Sequence, residues 1–96
     1  MDFQRALTAF QTACQPDPRE GLTVSPEVVG QTLQVRVRHQ DQDVPRGFDV
    51  VAEPLETEGR SADELGQAVA EVVARELAYG QLSAAAEDGQ FKRVVV

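Results

Sequence analysis

The chain has no tryptophan, no isoleucine and no asparagine, one cysteine (Cys14), one histidine (His39) and one lysine (Lys92). A single cysteine excludes an intrachain disulfide and any zinc site built on several thiolates. No stretch approaches the roughly 20 apolar residues that a membrane-spanning helix needs. The first ten residues, MDFQRALTAF, carry an acid at position 2 and no continuous apolar run, unlike a secretory signal. A cytoplasmic protein is the expectation. The seven glycines never fall into G-x-G-x-x-G or Walker spacing, so no phosphate-cradling loop is written in the chain. Cofactors are therefore not expected.

What is present is ordinary for a folded domain. Ninety-six residues with 42% apolar content predict one domain, residues 1–96, with one core. Sixteen acids against nine bases give a net charge of −7. That balance opposes nucleic-acid backbones and anionic membranes as partners. Eight of the nine bases are arginine. With the missing isoleucine and asparagine, this predicts a GC-rich bacterial or phage gene.

Phe3, Ala6, Leu7, Phe10, Ala13 and Cys14 recur at spacings of three and four, which predicts a helix over 2–14. Asp2 is its candidate cap, and Pro16 and Pro18 lie beyond its end. Leu22–Ser25 reads as a short strand that Pro26 interrupts, with Val28 and Val29 either continuing it or beginning the next. Thr32–His39 alternates strictly, with Leu33, Val35 and Val37 on one face and Thr32, Gln34, Arg36 and Arg38 on the other. A polar turn over 40–45 leads to a strand over Arg46–Glu53. If the two apolar faces coincide, paired positions sum to an odd number, which sets Asp49 opposite Arg36 or Arg38. Ser61 and Glu64 fit a capping box ahead of Leu65, Ala68, Val69, Val72, Val73 and Leu77, so the longest helix starts there. Residues 81–86 are expected to add helical turns, and Phe91–Val96 to form a last strand. The fold class predicted is α+β: a two-layer sandwich in the order α–β–β–β–α–β, with two helices on one face of an antiparallel sheet.

The candidate sites are few. His39, Asp41 and Asp43 give H-x-D-x-D, a donor set for a divalent metal. In a turn it reads better as a solvated acidic tip, so no metal is expected. His39 has no partner nucleophile, and no catalytic residue is expected. Cys14 lies on an apolar stripe, where free cysteine packs as a small hydrophobe. Glu53, Glu56, Glu58, Asp63 and Glu64 form an acidic run that would suit a basic partner. Arg36 and Arg38 on the wet sheet face are candidates for binding a phosphate or an acidic peptide, the alternative being pairs with Asp49 and Glu53. Phe91, Val94, Val95 and Val96 are candidate partner-binding residues: three terminal valines are costly to leave in water, so they pair within the fold, with a second copy or with a partner strand.

The α–β–β–β–α order resembles that of double-stranded-RNA-binding domains, which carry lysines where this chain has Ser61-Ala62-Asp63-Glu64. The resemblance to an RNA binder therefore fails on charge. The order also resembles the small acidic dimeric chaperones of type III secretion, which implies a protein-binding, dimeric module. The expectation from sequence is a non-enzymatic binding or adaptor protein. Its partner would be another protein or a second copy of itself. An acidic regulatory protein is the alternative, and a metal-dependent enzyme comes third.

Overall fold

A computed structural model of the chain describes residues 2–15, 20–41, 44–53, 59–79 and 82–96, with six elements in the expected order. The first helix (α1) spans Phe3–Ala13. The Asp2 carboxylate accepts the Arg5 amide at 3.1 Å, satisfying one of the donors that a helix start leaves unpaired. Ala6 and Phe10 are buried, while Phe3, Leu7, Ala13 and Cys14 pack partly against the core. The second helix (α2) spans Ala62–Ala78. Its Ser61 hydroxyl accepts the Glu64 amide at 3.2 Å and donates to the Glu64 carboxylate at 3.1 Å. The serine half of the box is present, and the glutamate carboxylate meets the serine hydroxyl.

The helices lie close together. A Cβ on Gly66 would sit 2.5 Å from the Ala6 carbonyl oxygen and 2.6 Å from the Ala9 Cβ. Glycine in mid-helix costs about 1 kcal/mol against alanine, and here that cost permits the contact between α1 and α2. Arg5 ties the two helix starts together. Its Nε and Nη2 donate to the two Asp63 carboxylate oxygens at 3.2 Å each.

The strands are Leu22–Val29 (β1), Thr32–Asp41 (β2), Val44–Ala52 (β3) and Lys92–Val95 (β4), side by side in that order. Three expectations need correction. First, the sheet is mixed rather than antiparallel. β1, β2 and β3 form an antiparallel meander, but β4 runs parallel to β3. The reason is the intervening α2: a chain that crosses back over the sheet in a helix re-enters in the same direction. Second, Pro26 does not interrupt β1, which runs through it to Val29. β1 is an edge strand, where proline is tolerated. Third, residues 82–86 are not helical. Leu82 is buried, the Gly47 amide donates to the Ser83 carbonyl at 3.0 Å, and Ala84 bridges antiparallel to Arg46. Helix propensity loses there to the burial of one leucine and to backbone bonds with β3.

The register between β2 and β3 follows the odd-sum rule. Pairs run from Leu33↔Ala52 to Asp41↔Val44, and Asp49 stands opposite Arg36. Both strands run further into the expected turn than the sequence suggested, and residues 42–43 lie outside the described residues. β1 and β2 join through Gly30 and Gln31, with Gly30 at φ +60°. Glycine reaches that conformation without the penalty other residues carry. Leu33, Val35, Val37, Phe48, Val50 and Ala52 face the helices and are buried. Full burial of such a large side chain contributes about 1.5–3 kcal/mol. The corresponding residues of the outer strands, Leu22, Val24, Val28 and Val94, are half-buried and pack against that core.

Candidate functional site

Among the described residues, the face of the sheet away from the helices carries three ion pairs between neighbouring strands. The Arg38 Nη1 lies 2.9 Å from Asp49 Oδ1, Arg93 Nη2 lies 2.7 Å from Glu53 Oε1, and Arg36 Nη2 lies 3.8 Å from Glu27 Oε1. Arg38 is held on every side. It also donates to the carbonyls of Val37 (2.9 Å) and Phe48 (3.2 Å), and its guanidinium stacks 3.9 Å from the Phe91 ring centroid. Its side chain is 30% exposed and that of Asp49 21%, so this pair is better shielded from solvent than the other two. The two arginines named from sequence as anion-gripping residues are therefore engaged by acids of their own chain. Asp49 stands opposite Arg36 but bonds the diagonal neighbour Arg38. Val51, on the same face, is buried.

Phe91, Val94, Val95 and Val96 fall on or beside β4, at one edge of the sheet. The Val96 amide donates to the Val51 carbonyl at 2.9 Å. Successive residues of a strand turn their amides to opposite sides, so positions 92, 94 and 96 address β3, and 93 and 95 turn outward. The terminal strand thus pairs within the fold through one side. Val94 and Val96 pack against the core, and Val95 is 50% exposed on the other face. Both cations of the strand are occupied: Arg93 by Glu53, and Lys92 by Glu76 at 3.2 Å. Tyr79, 71% exposed at the end of α2, shares a shallow depression with Lys92.

The opposite edge is β1. The Gln40 amide reaches the Gly21 carbonyl at 3.4 Å, so odd positions address β2 and even positions turn outward. Pro26 is even. It removes no bond from the ladder with β2, but it deletes a donor from the free edge. Proline on an edge strand discourages further pairing. Beside this edge an apolar groove of about 380 Å³ is lined by Phe10, Cys14, Leu22, Val24, Pro26 and Leu77. Burial pushes the Cys14 thiol above its ordinary pKa, which suits packing rather than nucleophilic chemistry.

His39 Nε2 lies 3.1 Å from the Glu20 carbonyl. The side chain of Asp41 and the whole of Asp43 lie outside the described residues, as do Glu56 and Glu58 of the acidic run. Asp63 is paired with Arg5, and Glu64 caps α2. Among the described residues no group of three His, Cys, Asp or Glu side chains converges on a metal position. Among them, too, no helix is long and apolar enough to cross a membrane. Sequence reasoning missed the contact of residues 82–84 with β3. Arg46 holds that segment, its Nη1 donating to the Leu82 carbonyl at 3.0 Å. Its Nε is buried without a partner among the described residues. Local sequence carries no signal for this contact, because it depends on where α2 ends over the sheet. No known family model, curated protein or solved structure matches the chain.

Proposed function

We propose that the protein is a non-enzymatic binding module that acts on other polypeptides through the free edge of β4. One observation carries the reading. β4 presents outward backbone groups at Arg93 and Val95 with no proline among them, and its two cations are neutralised from within the fold. Edge strands of natural proteins are commonly blunted by charge or proline. Here the lysine and arginine that could do so are drawn to Glu76 and Glu53. An extended segment of a partner is the chemistry that fits, because backbone donors and acceptors in a row are matched by another strand.

Val95→Pro tests this. It deletes an outward donor and no bond to β3, and edge positions accept proline. Immobilised protein from the native host is expected to retain a partner with the natural chain and to lose it with Val95→Pro. Retention by both would exclude the β4 edge as the binding surface. Retention by both that fades with added salt would instead favour the acidic surface, since exposed charge attraction is screened over about 8 Å at physiological ionic strength.

A further inference from the structure

The identity of the strand that fits β4 can be argued further, and the argument rests on the binding reading above. We infer that it is β4 of a second copy, related by a two-fold axis through Val94. Antiparallel pairing of identical strands is self-complementary, so each copy both offers the site and fills it. The outward residues are Arg93 and Val95. Pairing Arg93 with the partner's Val95, and Val95 with the partner's Arg93, uses every outward group and makes four hydrogen bonds. The register that sets Arg93 against its own copy opposes like charges and is disfavoured. The preferred register brings the two Val94 side chains together at the axis, on the half-buried face continuous with the core. The result is one eight-stranded sheet with both α2 helices on the same side.

On the strand itself, like charge does not oppose pairing of the two edges. Arg93 and Lys92 are held at 2.7 and 3.2 Å by acids of their own chain. Growth stops at two because the other edge of each copy carries Pro26 at an outward position. An assembly with one open edge per copy closes as a dimer.

The test combines mass and cross-linking. Light scattering of the natural chain is expected to give twice the 10.5 kDa chain mass, and Val95→Pro the single-chain mass with an unchanged circular dichroism spectrum. Val94→Cys in a Cys14→Ala background is expected to form a disulfide dimer under mild oxidation. Cα atoms at a non-hydrogen-bonded antiparallel pair lie about 4.5 Å apart, inside the range of about 4.4–6.8 Å that a disulfide spans. Ser83→Cys in the same background is expected to remain uncrosslinked. The cross-linking arm stands even if Val95→Pro fails to fold. A natural chain that stays monomeric at the highest soluble concentration overturns the inference, as does a dimer in which Val94→Cys does not cross-link. If the chain is monomeric yet loses a captured protein on Val95→Pro, the two-fold pairing is overturned and the binding reading stands.

Discussion

The two edges of this sheet differ in length, in charge and in one backbone donor. β1 has eight residues and lies beside an apolar groove, yet Pro26 removes a donor from the middle of its free side. β4 has four residues, no proline, and two cations turned to internal acids. The longer and more apolar edge is the blocked one. Length and hydrophobicity therefore do not identify the edge open to a partner; the orientation of each N–H does.

The comparison can be reversed. Pro26→Thr restores the missing donor and opens the second edge, so the proposed dimer should no longer close. Light scattering is expected to show species larger than a dimer that grow with concentration, the largest effect predicted here. A Pro26→Thr chain that stays at the mass of the natural protein would show that the proline is not what blocks β1.

The next effect sharpens what both edges depend on, the helix layer behind them. Gly66→Ala forces α1 away from α2, and overpacking of this kind costs about 1–3 kcal/mol. Urea unfolding should show a lower midpoint with an unchanged slope. Asp49→Ala on the open face comes next, because it leaves the partly buried Arg38 without its carboxylate. The carbonyls of Val37 and Phe48 and the Phe91 ring still hold the guanidinium, so the expected loss is roughly 1 kcal/mol, read from the same experiment. Arg36→Ala, which breaks a 3.8 Å exposed pair, should cost less than half of that.

The smallest effect concerns Cys14 in the groove beside β1. Its raised pKa keeps the thiol protonated at pH values where a free cysteine ionises. Alkylation by iodoacetamide near pH 8.5 should be slower in the folded chain than in the urea-unfolded one. The sign for stability follows: the contribution is full below the unfolded pKa of about 8.5. It falls as pH rises from there through the folded value, because the unfolded chain then releases its proton more readily.

Much of this arrangement was legible in the sequence. The spacing of three and four over residues 3–14 and the Ser61–Glu64 box gave both helices, because capping and amphipathicity act within a few residues. The odd-sum rule gave the parity of the β2–β3 pairing, because a one-residue slip would expose Leu33, Val35 and Val37, but it left Asp49 opposite either Arg36 or Arg38. What was not legible depends on distant chain. The direction of β4 depends on the path of α2, and a pattern of valines carries no direction. Pro26 reads as a breaker until its neighbours show which way its nitrogen points. The alanines of 82–86 favour a helix until Leu82 finds a place in the core. Asp49 meets Arg38, a pairing the register allowed, but the acid of Arg36 is Glu27, on the part of β1 beyond Pro26, and Glu53 goes to Arg93 instead.

The most direct test of the difference between the edges is amide hydrogen exchange followed by NMR over a range of protein concentration. Val95 and Val24 both turn their amides outward, one on each edge. Exchange at Val95 is predicted to slow as concentration rises and β4 finds its partner, while exchange at Val24 stays fast throughout. Equal and concentration-independent exchange at the two amides would contradict the account.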